Sequence, residues 1–198
     1  MIWIGMDEVR VFIAVDVPGA LQGKLGAVVD GLRHLPGDVR WVSAPHLHFT
    51  LRFLGEIPLE RVAPVGEAVQ EVASRHSEFA LTVAGLGLFP ERGAPRVVWL
   101  GIREGRAELS ALHSDLEMAL ERLGFAKEER PFAPHLTLGR LRGAPPGPWR
   151  EAALAFGDEP LLSFRVKEVR VMRSELTRRG PIYSVLSASP LKIGQEGA

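Results

Sequence analysis

The chain has 198 residues, 46% of them hydrophobic, enough to bury one sizeable core and unlike a disordered segment. Lys+Arg and Asp+Glu both number 24, and a net charge of zero argues against tracking many phosphates along a nucleic acid, though it leaves room for a local basic cleft. The lack of cysteine excludes disulfides, thiolate metal sites and thiol nucleophiles, and no apolar run reaches the length of a signal peptide or membrane span, so a cytoplasmic protein is expected. Residues 9 to 16 form a buried strand stopped by Pro18-Gly19, and Leu21, Leu25, Val28, Val29 and Leu32 then recur at helical spacing over 19 to 33. Strands are predicted at 38 to 42 and 47 to 54, the second ended by Gly55-Glu56-Ile57-Pro58, followed by a helix over 59 to 74. Strands near 78 to 86 and 96 to 102 precede a helix marked by Leu109, Leu112, Leu116, Leu120 and Leu123 and closed by Gly124. A strand at 132 to 141, a short helix near 149 to 156 and strands at 161 to 173 and 181 to 188 complete the chain, with a loose tail from Gly194. Helices mixed with strand pairs on short connections predict an α+β fold with antiparallel pairing, as a single unit over residues 1 to 198.

Within that pattern His48-Phe49-Thr50-Leu51 recurs as His135-Leu136-Thr137-Leu138. With six His and four Thr in the chain, chance predicts about 0.1 His-x-Thr occurrences, yet there are two. Ala-Pro precedes both sites closely, as Ala44-Pro45-His46-Leu47-His48 and Ala133-Pro134-His135, which points to an internal duplication with one motif strand in each of two lobes. Side chains alternate along a strand, so His48, Thr50 and Arg52 are expected on one face and Leu47, Phe49, Leu51 and Phe53 on the other. His135 and Thr137 share a face by the same rule. Arg140 falls on the opposite one unless Gly139 marks a bulge.

Two imidazoles facing one cleft can divide acid/base work, because a pKa near 6.5 allows one to be neutral while the other is charged. Phosphodiester hydrolysis needs that division, with Thr50 and Thr137 donating hydrogen bonds to non-bridging phosphate oxygens and no metal required. Arg52, Arg140 and Arg142, with Arg170, Arg173, Arg178 and Arg179 further on, are the basic residues available to hold phosphate. His34, His46, His76 and His113 lack a matching Thr, His46 being set apart because it flanks the motif. Phe12, Phe132 and Tyr183 are candidates to stack on a base. Gly85-Leu86-Gly87-Leu88-Phe89-Pro90 lacks a nucleotide-binding fingerprint and is taken as a strand end and turn.

These residues resemble the RNA 2′,3′-cyclic phosphodiesterases, or 2′-5′ RNA ligases, of the two-histidine phosphoesterase superfamily. The resemblance spans residues 10 to 15, 47 to 56, 85 to 90, 95 to 100, 131 to 140, 173 to 176 and 180 to 183, in that order. It implies a bilobal α+β fold with pseudo-twofold symmetry and a central cleft, a chain start at Met6, and no cofactor or metal. It further implies that His48 is the proton donor and His135 the proton acceptor. Water activated by His135 then opens a terminal 2′,3′-cyclic phosphate to a 2′-phosphate, and the same pair, given a 5′-hydroxyl RNA, reversibly makes a 2′-5′ linkage. The partners implied are RNA ends or small nucleotides, met by a monomer with no membrane association. The competing readings are a cyclic phosphodiesterase of small nucleotides and a non-catalytic nucleotide or RNA-end binding module. The module ranks last, because arginines hold phosphate at every pH and titrating histidines do not.

Overall fold

The computed structural model describes residues 8–143, 145–178 and 180–194, so the start at Met6, Arg179 and most of the tail lie outside it. The chain runs β1 (Glu8–Asp16), α1 (Gln22–Leu32), β2 (Asp38–Trp41), β3 (His48–Pro58), α2 (Val62–Ala73), β4 (Phe79–Phe89), β5 (Val97–Glu104), α3 (Arg106–Arg122), β6 (Leu136–Arg142), α4 (Pro146–Phe156), β7 (Pro160–Val166), β8 (Glu168–Thr177) and β9 (Gly180–Pro190). Single 3₁₀ turns at Gly19–Leu21 and Leu59–Arg61 lead into α1 and α2, and another at Ala44–His46 leads into β3.

The α+β class is as expected, with antiparallel pairing between all named strands. The strands lie in the order β7-β4-β5-β6-β3-β1-β8-β9, with β2 paired to β6. The order divides into two similar halves, β7-β4-β5-β6 and β3-β1-β8-β9, and each motif strand, β3 or β6, lies at the inner edge of its half. A single residue pair, Phe49↔Leu136, joins them.

Helices α2, α3 and α4 pack on one face of this sheet: α2 on β8 and β9, α3 on β3 and β5, α4 on β4. Their apolar spacing explains it. Val65, Val69 and Val72 of α2 and Leu109, Leu112, Leu116 and Leu120 of α3 are almost fully buried, and Gly124 ends the second stretch with a left-handed φ of 83°. Trp149 of α4 is completely buried, its indole N–H donating to the Pro36 carbonyl at 2.8 Å. No helix among the described residues is long and apolar enough to cross a membrane.

Several boundaries differ from expectation, and glycine accounts for two. Gly55 and Gly85 do not end their strands. With φ of 73° and 75° they sit at irregularities in the pairing, and β3 continues to Pro58 and β4 to Phe89. The predicted strand over 161 to 173 is two strands broken at Lys167, and the segment 132 to 135 precedes β6 instead of belonging to it.

Candidate active site

The joining pair sets the geometry of the site. Phe49 faces Leu136 across an antiparallel contact, so by register His48 falls opposite Thr137 and His135 opposite Thr50. Directly opposed residues have Cβ atoms about 4.5–5.5 Å apart and diagonal ones about 7–8 Å, which puts the two histidines diagonally across the seam, on the sheet face away from the buried Phe49 and Leu136.

Both rings are held alike. Nδ1 of His48 lies 2.7 Å from the His46 carbonyl, and Nδ1 of His135 lies 2.7 Å from the Ala133 carbonyl. A carbonyl only accepts, so each Nδ1 carries the proton and donates it, and each Nε2 is left as the titrating nitrogen. The Ala-Pro segments before each motif supply these carbonyls, through the 3₁₀ turn at Ala44–His46 on one side and the stretch before β6 on the other.

The leucine that closes each motif is a bulge. Pairing passes from Ala14↔Thr50 to Ile13↔Arg52, skipping Leu51, and from Trp99↔Thr137 to Val98↔Gly139, skipping Leu138. Strict alternation therefore fails after both motifs, with opposite results for the two arginines. Arg52 turns to the helix side, 8% exposed, and pairs with Glu117 at 2.6 Å and Glu128 at 2.7 Å while donating to the Ala126 carbonyl. It is a structural ion pair, and its expected place beside His48 and Thr50 is corrected. Arg140 turns to the histidine face, while Gly139 packs under Val39 and Trp41, where a Cβ would clash. Phe53, expected to face away, comes back to the cleft at 50% exposure with its ring 5.7 Å from Phe12.

Each histidine stands in an aromatic frame. His48 lies 4.9 Å from Phe12 and 5.5 Å from Tyr183, and His135 lies 5.1 Å from Phe89 and 5.9 Å from Trp99. Phe12 is 1% exposed and offers no face for a base, which corrects its expected stacking role; it forms an apolar floor with Ala14 and Met172 under His48. Phe132 is stacked on His113 at 4.0 Å and packs against the core, away from these rings. Arg170 pairs with Asp16 and Glu168 at 2.6 Å each, and Arg173 with Glu175 at 2.7 Å, so these candidates are neutralised. His76 is 2.8 Å from Asp115, and the ring of His46 lies 4.8 Å from Tyr183. No cluster of three metal-ligating side chains occurs among the described residues.

Burial lowers the pKa of His48, partly opposed by its bond to the His46 carbonyl and by Asp16. His135 is also lowered, first by burial and then by the Arg140 guanidinium, against the pull of its bond to the Ala133 carbonyl. Burial raises the Tyr183 phenol, while Arg140, Arg10 and Arg40 oppose it.

Phe53, Phe89, Trp99 and Arg40 are the site neighbours that sequence reasoning did not select. A bulge hides Phe53. Gly87 was a usable signal for Trp99, because a Cβ there would run into the indole ring. Gly87→Ala should therefore displace Trp99 and with it the frame of His135, lowering kcat by up to about 10²-fold with little change in KM. Steady-state kinetics check this, and an unchanged kcat would show that Trp99 does not position His135.

The model of the 2′-5′ RNA ligase superfamily matches residues 21–178. The chain belongs to that superfamily. It is 36% identical over 167 residues to an RNA 2′,3′-cyclic phosphodiesterase of Aeropyrum pernix, covering 84% of this chain and 94% of that one. It is 35% identical to another of that name from Methanothermobacter thermautotrophicus, covering 89% and 96%. Among solved structures, it is similar to TT0787 of Thermus thermophilus, with a TM-score of 0.78, 28% identity and coverage of 93% and 98%. It is also similar to E. coli LigT complexed with 3′-AMP, with a TM-score of 0.73, 29% identity and coverage of 93% and 99%.

Proposed function

We propose that the chain hydrolyses the 2′,3′-cyclic phosphate of an RNA end to a 2′-phosphate, without a metal ion, using His48 as proton donor and His135 as proton acceptor. The observation that carries this reading is the pair of Nδ1–H donations to the His46 and Ala133 carbonyls, which leaves two Nε2 atoms to work across one seam. Nε2 of His135 takes a proton from water, whose oxygen attacks phosphorus; the bond to the 3′ oxygen breaks, and that oxygen takes the proton from Nε2 of His48. With a 5′-hydroxyl in place of water, the same transfers join two RNAs by a 2′-5′ bond.

The surroundings favour this assignment over its mirror image. Asp16 next to His48 favours the imidazolium, and Arg140 near His135 favours the neutral ring. The hydroxyls of Thr50 and Thr137, each opposite a histidine, suit the non-bridging oxygens, and Arg140 suits the phosphate charge. Tyr183 and the half-exposed Phe53 suit the terminal nucleoside in place of Phe12. All these groups come from one chain, which fits a monomer.

Because burial lowers both imidazoles, kcat/KM should peak below about pH 6.5, falling on the acid side as His135 gains a proton and on the alkaline side as His48 loses one. The bound anion favours the imidazolium of His48, so the alkaline limb of kcat should lie at higher pH than that of kcat/KM. Both profiles are to be measured in excess chelator, on an oligonucleotide ending in a cyclic phosphate and on a cyclic mononucleotide. A flat profile, or turnover abolished by the chelator, would overturn the mechanism. Preference for the mononucleotide would move the function to small cyclic nucleotides.

A further inference from the structure

The arginines around the seam are divided unequally. In the half that carries His48, Arg10 lies 3.9 Å from Glu56, Arg170 is paired with Asp16 and Glu168, and Arg173 with Glu175. In the half that carries His135, a groove of about 540 Å³ is lined by Arg40, Arg96, Arg140 and Arg142 with Ala94 and Pro95. None of these four guanidiniums has a carboxylate partner among the described residues, although Asp38 faces Arg142 across the β2–β6 ladder. Arg40 is directly opposite Arg140 in that ladder, an arrangement of like charges that costs stability unless an anion lies between them. In a chain of zero net charge this is a concentrated basic surface.

Its direction matters. Strand β6 starts next to His135 and runs past Arg140 to Arg142, and the side chains of those two arginines share a face about 7 Å apart along the strand. Any group deprotonated by His135 therefore lies at the end of β6 from which the strand leads to this groove. We propose that the groove formed by Arg40, Arg96 and Arg142 binds the phosphates of a second RNA, the strand whose 5′-hydroxyl attacks the cyclic phosphate in 2′-5′ joining. This rests on His135 being the proton acceptor, since the attacking oxygen must lie within hydrogen-bond reach of its Nε2. In the joining step the 5′ oxygen bonds to phosphorus and passes its proton to His135, the bond to the 3′ oxygen breaks, and that oxygen takes the proton of His48, so no nucleotide cofactor is consumed. Hydrolysis needs only water at that place and makes no demand on the groove.

The test is a double charge reversal, Arg96→Glu with Arg142→Glu, assayed on three reactions. These are hydrolysis of a dinucleotide 2′,3′-cyclic phosphate, hydrolysis of a cyclic-phosphate-ended decamer, and joining of the dinucleotide to a 5′-hydroxyl tetranucleotide. The expected result is a rise of about tenfold or more in the KM for the 5′-hydroxyl strand, a salt slope of joining flatter by roughly 1.4, and both hydrolyses within twofold of the parent protein. Intact dinucleotide hydrolysis also shows that the variant is folded. Loss of decamer hydrolysis along with joining would place the cyclic-phosphate strand in the groove and overturn the proposal, as would an unchanged KM for the 5′-hydroxyl strand. If the parent protein hydrolyses the cyclic phosphate but neither joins nor binds the 5′-hydroxyl strand, the groove assignment fails alone. If it does not hydrolyse the cyclic phosphate, the functional reading beneath the assignment fails with it.

Discussion

His48→Ala and His135→Ala should each lower kcat for cyclic-phosphate hydrolysis by about 10²–10⁴-fold, the usual worth of a positioned general acid or base. Each ring has one nitrogen committed to a backbone carbonyl, so no second atom can take over the proton transfer. The two losses should not add, since the groups act as a unit, and the double variant should be little worse than the poorer single one. Single-turnover rates measure the effect with binding removed, and circular dichroism verifies the fold. Near-full rate in either variant would remove that histidine from the chemistry.

Arg52→Ala should do the opposite, damaging the fold and sparing the chemistry. The guanidinium is almost fully buried between Glu117 and Glu128 and also binds the Ala126 carbonyl, so its removal strands a carboxylate of low exposure. A cost of about 3 kcal/mol is expected, at the lower end for a broken buried pair because Glu128 is partly exposed. For a chain of this size that lowers Tm by about 6–12 °C, measurable by calorimetry, while kcat at a temperature where the variant stays folded is unchanged. A fall in kcat with Tm unmoved would return Arg52 to the cleft.

These two results separate what could be read in the sequence from what could not. The repeated His-x-Thr, the alternation within each motif and the burial of Phe49 and Leu136 are local properties, legible because a strand has a period of two. The bulges at Leu51 and Leu138 are not legible, since a leucine inserted in a pairing looks like any other strand leucine. They reversed the expected faces of Arg52 and Phe53 and decided that of Arg140, for which Gly139 was a partial clue. Burial was the other hidden quantity. Phe12 sits on the histidine side as its aromatic character suggested, yet Tyr183 and Phe53 cover it. Arg170 and Arg173 have Glu168 and Glu175 two residues along their own strand, a spacing the sequence does show, whereas Asp16 on β1 reaches Arg170 only once the strands are paired.

The bulges also bear on how a two-copy site diversifies. Each returns the fifth residue after its histidine to the cleft: Phe53 in one copy, Arg140 in the other. Duplicated modules begin with identical walls, and most positions cannot change without disturbing the imidazoles or the core. This one can, because it lies on the open face beyond the distortion. A substitution there gives one wall an aromatic surface and the other a cation, so a symmetric ancestor could acquire a direction, with a side suited to a nucleoside and a side suited to charge, while both His-x-Thr segments stayed intact.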